Sequence, residues 1–95
     1  MPDIIRGQHA HKTLKQAFIA LTGKMKIRLE KGNQIEIHEL EAGNGILLEE
    51  QMIWRELYEF TSDAVLIVIV DKEFDEDDYI RDKNQFNVML ELQIK

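Results

Sequence analysis

Two histidines with one alanine between them, His9 and His11, lie inside the stretch RGQHAHKTLKQ that runs from Arg6 to Gln16. In an extended segment successive side chains point to opposite faces, so the two imidazoles share one face and Ala10 takes the other. Imidazole titrates near neutrality and binds divalent metals, so such a pair can hold a cation or move a proton. The plain alternative is a pair of exposed strand residues with no task, because a two-histidine spacing is a weak motif.

For a metal, the relevant spacing is His-x-His, four residues, Gln16, six residues and Gly23, which resembles the first motif of metal-binding cupins. Cupins of that kind have a glutamate where this chain has Gln16, and a neutral amide is a poorer ligand for a divalent cation than a carboxylate. Their second motif supplies a third histidine, whereas Gly45 to Leu57 contains none and His38 lies in an intervening hairpin. Two imidazoles with neither a carboxylate nor a third imidazole make a poor catalytic metal site, so neither a metal nor another cofactor is expected. Proton transfer asks for less. A neutral imidazole can take a proton from a carbon acid and return it, while the second imidazole and Arg6 steady the developing enolate oxygen.

The surrounding segments read as strands. Within Ala17 to Glu30, Met25, Ile27 and Leu29 alternate with Lys24, Lys26 and Arg28, the period of a half-buried strand. Lys31 to Asn33 is a turn signal, and Gln34 to Leu40 should return as the second arm of a hairpin with Ile35 and Ile37 inward. GILLEEQMIWRELYEF follows a second turn cluster, Glu41 to Gly45, and its β-branched and aromatic residues favour strand. The apolar run Ala64 to Val70 is expected to be a strand buried on both faces. After it a short helix is expected near Asp77 to Asp82, and then a tail in which VMLELQI alternates like an added edge strand. These elements describe a single all-β sandwich or barrel of 95 residues with a short C-terminal helix.

Composition narrows the partners. Eighteen acidic against twelve basic residues give a net charge of −6, which argues against nucleic acid but allows one or two placed arginines to bind an anionic small molecule. Cysteine is absent. No signal pattern opens the chain, and the longest apolar run is too short to span a bilayer, so a soluble, cytoplasmic protein with no membrane partner is expected. A domain this small buries a modest fraction of its surface, which points to a homodimer.

Four separated stretches, RGQHAHKTLKQ, the glycine of LTGKMKI, MIWRELYEF and SDAVLIVIVDKEFDEDDYIRDKNQF, resemble the sugar-nucleotide 3,4-ketoisomerases of the WxcM-like cupin family. The order and gaps are similar from Arg6 to Phe86. The resemblance implies a jelly-roll homodimer that moves a keto group between C4 and C3 of a 6-deoxyhexose on deoxythymidine diphosphate, without a metal. It implies that His9 is the base for the C3 proton and that His11 binds the sugar oxygens or assists the shuttle. Arg6 would face the diphosphate or the enediolate, Gln16 would orient a histidine or the sugar, and Trp54 would be either a sugar contact or a wall residue. Some relatives have histidine at the position of Arg55, which is associated with the face of C4 that is protonated, and arginine leans towards the gluco product. Tyr79 and Arg81 of DYIR are family residues for which packing and ion pairing are expected, and the acidic run Asp75 to Asp78 reads as a solvated helix start.

Relatives also carry strands ahead of the histidine motif that build the dimer and supply pocket residues, whereas this chain offers only MPDII, so the single cupin-like domain, residues 1–95, is expected to lack them. LLEEQ, Leu47 to Gln51, replaces an aromatic-x-Gly-Pro stretch and brings two acids near the pocket. Three functions follow: the ketoisomerase; a non-catalytic sugar-nucleotide-binding or interaction protein derived from it; and a metal cupin with another substrate.

Overall fold

The computed structural model describes residues 5–94; most of the short MPDII front end and Lys95 lie outside the described residues. Among the described residues eight strands run β1 (Arg6–His11), β2 (Gln16–Thr22), β3 (Lys24–Lys31), β4 (Gln34–Glu41), β5 (Leu47–Glu49), β6 (Trp54–Tyr58), β7 (Val65–Val70) and β8 (Tyr79–Ile80), and one α-helix, α1 (Lys83–Ile94), follows. A five-stranded sheet in the order β4-β3-β6-β1-β8 faces a three-stranded sheet in the order β5-β2-β7. The fold is of the jelly-roll type, mostly β, with the C-terminal helix as a third layer. Its two sheets do not close into one hydrogen-bonded ring among the described residues, so the expected barrel is a sandwich.

Phe18 and Ala20 of β2 pack against Met25, Ile27, Leu29, Leu40 and Leu57 of the larger sheet, which makes the core between the sheets. On the other side of that sheet Ala10, Trp54 and Ile80 meet Phe86 and Leu90 of α1, with Met52 beside them. Strand alternation thus sends neighbouring residues of β1 and β6 into different cores.

The β3–β4 hairpin turns on Gly32 and Asn33, with Gly32 at φ 62°; glycine suits the positive φ that a two-residue turn imposes. This turn fixes the register Lys31 to Gln34, and Met25, Ile27 and Leu29 then stand opposite Leu40, His38 and Glu36. The expectation of Ile35 and Ile37 inward is therefore wrong by one residue of phase: both are on the outer face, more than half exposed.

Two further expectations are corrected. Among the described residues β7 pairs with β2 alone, and Val65, Ile67, Val68, Ile69 and Val70 are exposed, so within them it is an edge strand and not one buried on both faces. Its sequence reports the strand but cannot report the missing neighbour. The alternating tail is helical, not an edge strand: Asp82 accepts the amide of Asn84 at 2.9 Å in the manner of an N-cap, and Phe86 and Leu90, four apart, meet one stripe of the sheet. The short helix expected at Asp77–Asp82 is only a single 3-10 turn, Glu76–Asp78, followed by β8.

Candidate active site

Register explains how the histidines acquire their neighbours. In the antiparallel pairing of β1 with β6, His9 stands opposite Arg55; in that of β1 with β8, His11 stands opposite Tyr79. Directly opposed residues share a face, so two imidazoles, a guanidinium and a phenol converge on the side that looks towards β2 and β5. Between Arg6 and His9 the pairing slips, and Gly7 sits there at φ 65°. Such bulges favour glycine and re-aim the side chains that follow.

The imidazoles are in edge contact, 4.9 Å between ring centroids, and Tyr79 closes the group at 4.3 Å from His11 and 5.0 Å from His9. His11 is buried at 4% exposure, while His9 is half-buried. Arg55 Nη2 lies 2.8 Å from His9 Nε2; because a guanidinium only donates, Nε2 accepts and the ring proton belongs on Nδ1. Arg55 Nη1 donates to Gln16 Oε1, and the guanidinium stacks 4.9 Å above the Phe18 ring. Gln16 thus reaches the histidines through the arginine.

Burial first, then the Arg55 charge, then His11 and Arg81, hold the His9 pKa at about 3. His11 is lowered too, by burial and by Arg55, with Asp78 pulling it upward. Both rings are therefore neutral at pH 7, the protonation state a proton acceptor needs.

Behind His11 lies Asp78, its Oδ2 3.6 Å from Nδ1. The carboxylate accepts the Thr13 amide and hydroxyl at 2.9 Å each and the Leu14 amide at 3.2 Å. Burial raises its pKa, but those hydrogen bonds and His11 prevail and hold it below the usual carboxylate value. An anion 3.6 Å from Nδ1, beyond hydrogen-bond reach, still favours electrostatically the tautomer with its proton on that nitrogen and the lone pair on Nε2. The acidic run is thus not wholly a solvated start: Asp75 caps the 3-10 turn, and Asp78 is buried.

Tyr79 and Asp78 are the residues the sequence reading undervalued; alternation in YIR could have put Tyr79 on the face of β8 that meets His11, whereas Asp78, in the 3-10 turn before β8, carried no such signal. Arg81 pairs with Glu76 and lies over the Tyr79 ring at 4.3 Å, in keeping with the packing and ion pairing expected of it. Arg6 is exposed at the start of β1, and its side chain forms no hydrogen bond or ion pair among the described residues. Trp54 is not brought to this face: it packs 5.8 Å from Phe86 and donates its indole N–H to Glu56. Of the two acids in LLEEQ, Glu50 points outward to Lys15, but Glu49 is buried at 4% exposure with Oε1 3.8 Å from Arg55 Nη1. Among the described residues no group of three or more His, Cys, Asp or Glu side chains is arranged to hold a metal ion.

Fold and site together define a cupin-type jelly roll that carries paired neutral imidazoles and a buried arginine. The family model described as FdtA: WxcM-like, C-terminal matches residues 1–91, and the chain belongs to that family. A curated relative, the TDP-4-oxo-6-deoxy-alpha-D-glucose-3,4-oxoisomerase of Aneurinibacillus thermoaerophilus, is 37% identical over 81 residues, which cover 85% of this chain and 58% of the relative. The 3,4-ketoisomerase QdtA of Thermoanaerobacterium thermosaccharolyticum, solved in complex with TDP, superposes with a TM-score of 0.94 at 36% identity, covering 100% of this chain and 69% of that one. WlaRA, a TDP-fucose-3,4-ketoisomerase from Campylobacter jejuni, gives a TM-score of 0.91 at 30% identity over 100% of this chain and 70% of its own. The chain therefore spans somewhat more than half the length of its curated relative.

Proposed function

We propose that this protein is a metal-independent 3,4-ketoisomerase of a deoxythymidine diphosphate-linked 4-keto-6-deoxyhexose. The observation that carries the reading is the contact pair His9–His11, both neutral, with Arg55 on one ring and Asp78 behind the other. Similarity to enzymes named for this reaction, 30–37% identical to the chain, supports it.

The resting arrangement ties up the base, because Arg55 occupies the lone pair of His9 Nε2. An anionic substrate oxygen that draws the guanidinium to itself frees Nε2. It also cancels part of the charge that depresses the imidazole, so binding raises its basicity. His9 then takes the C3 hydrogen as a proton, and the electrons of that bond form the C3–C4 double bond while the C4 carbonyl oxygen gains the negative charge. Arg55, with Tyr79 beside the histidines, stabilises that oxygen. A proton moves from O3 to O4, the proton held on the imidazoles returns to C4, and the electrons on O3 form the C3 ketone as the double bond is used to bind that proton. His11, its Nδ1 proton steadied by Asp78, is suited to relay the proton along the sugar edge. Gln16 positions Arg55, and Arg6 at the open end of β1 suits the diphosphate.

The exposed apolar residues of β7 support a homodimer that covers them. Among the described residues no helix is long and apolar enough to cross a membrane; a cytoplasmic location agrees with a nucleotide-sugar substrate.

Incubation with the nucleotide-linked 4-keto-6-deoxyglucose in deuterated water should replace the C3 hydrogen and yield the 3-keto isomer, followed by NMR. His9→Asn should slow exchange by about 10²- to 10⁴-fold, the usual contribution of a general base. Saturable nucleotide binding without exchange above background would defeat catalysis and mark a non-catalytic sugar-nucleotide-binding protein.

A further inference from the structure

The carboxyl group of Glu49 has no part in the steps above, yet it is among the most deeply buried charged groups of the fold. β5 pairs with β2 so that Glu49 stands opposite Gln16, and β2 is the strand whose Gln16 and Phe18 already hold Arg55. Glu49 Oε1 lies 3.8 Å from Arg55 Nη1, beyond hydrogen-bond reach, and is left without a hydrogen-bond partner, as is Arg55 Nε. A buried carboxyl oxygen that makes no hydrogen bond is costly. A leucine would fill the position at lower cost, so its placement against the arginine calls for a role.

We propose that Glu49 is a positioning residue for the histidine pair: its buried carboxyl holds Arg55 against His9 and, by keeping or releasing its proton, sets how strongly that guanidinium acts on the imidazole. The catalytic consequence rests on the isomerase reading; the coupling itself does not.

The charged and titratable groups around this line are few. Glu49 faces Arg55 from β6 and the neutral Gln16 from β2, while the neighbouring Glu50 turns outward to an exposed pair with Lys15. Arg55 faces His9 from β1 and feels Tyr79 from β8. His9 also feels His11 and Arg81. Burial pushes the Glu49 carboxyl up to about 7 against the pull of Arg55, so its proton comes and goes around neutral pH. With the proton on, Arg55 acts on His9 with its full charge. Once the proton leaves, the carboxylate offsets that charge and His9 becomes the stronger base.

The test is a pH titration of the full chain by NMR, with the glutamate carboxyl carbons and the histidine ring nitrogens labelled. One glutamate should titrate near pH 7, and the His9 nitrogens, still neutral, should shift with the same midpoint. In Glu49→Gln that inflection at His9 should vanish, while Glu49→Asp should retain one with an altered midpoint. Identical His9 titrations in the wild type and Glu49→Gln overturn the proposal. So does a wild type in which no glutamate titrates above the ordinary range, a result that needs no variant to fold. The acid limb of C3-hydrogen exchange should follow the same midpoint in the wild type and be displaced in Glu49→Gln. Absence of exchange in a wild type that shows the coupling would overturn the isomerase reading and uphold this one.

Discussion

On the face of β1 and β6 that looks towards the three-stranded sheet stand His9, His11 and Arg55; on the face that looks towards α1 stand Ala10 and Trp54, with Ile80, Phe86 and Leu90 against them. The two faces alternate residue by residue along the same backbone. The four buried side-chain atoms that lack a hydrogen-bond partner among the described residues are His11 Nδ1 and Nε2, Glu49 Oε1 and Arg55 Nε, all belonging to the first face or the strand opposite it. On the second face the indole N–H of Trp54 has its acceptor in Glu56. One face spends stability on unpaired polar atoms and the other supplies it through apolar burial. Preorganised polar groups are costly to hold in place unless a rigid support stands behind them.

The largest test of that division is Phe86→Ala. Phe86 is fully buried and anchors α1 to Trp54 and Ile80, so its truncation should cost about 3–5 kcal/mol of unfolding free energy, read from urea denaturation. A loss under about 1 kcal/mol would mean that the helix does not support the sheet. The contrast is sharpened if substitutions at His9, on the other face, lower activity far more than they lower stability.

A second test uses acid. His9, with its pKa held at about 3, and His11, also lowered, are neutral in the folded protein but gain protons once unfolded below the ordinary histidine value near 6.5. The unfolded state then binds more protons, so stability present at pH 7 is lost as pH falls below about 6.5, at about 1.4 kcal/mol per pH unit for each full proton. Glu49 works the other way. Its folded pKa of about 7 exceeds the unfolded value of 4.5, so the folded state binds the extra proton, and the stability this contributes is lost as pH rises from about 4.5 to 7. The histidines should prevail, with net destabilisation from pH 6.5 towards 5, and Glu49→Gln should steepen that slope. A flat profile in both proteins would show that the polar face is hydrated rather than buried.

What the sequence made legible follows the same division. Alternation in HAH and in MKIRL correctly placed the paired imidazoles and the core face of β3, because a period of two is a local property of the strand. Facts that depend on a neighbour were not legible. Ile35 and Ile37 alternate well enough, but only the turn length decides which phase faces inward. The valines and isoleucines of β7 declare a strand without declaring its edge, and VMLELQI alternates like a strand although Asp82 caps it as a helix. In the site, the histidines and Arg55 stood out by type and order. Asp78 and Glu49 sat in acidic runs that resemble solvated surface, and only the pairings of β1 with β8 and of β2 with β5 turn them inward.

The smallest effect lies at Gly7, where the bulge joins the two ends of this comparison. A side chain there would sit at φ 65°, a left-handed conformation that costs a non-glycine residue about 1 kcal/mol or slightly more. Space is not the obstacle: an added Cβ would meet Leu57 Cδ1 at 3.5 Å and Arg55 Nε at 3.6 Å, both ordinary contacts. Gly7→Ala should therefore cost about 1 kcal/mol by chemical denaturation, and Gly7→Asn less, because asparagine tolerates the left-handed region better. If the strain were relieved instead by removing the bulge, the phase of β1 would shift by one residue. His9 would then leave Arg55, and activity would fall in Gly7→Ala and recover in Gly7→Asn. A loss of stability with unchanged exchange kinetics would show the bulge to be held by the sheet on both sides.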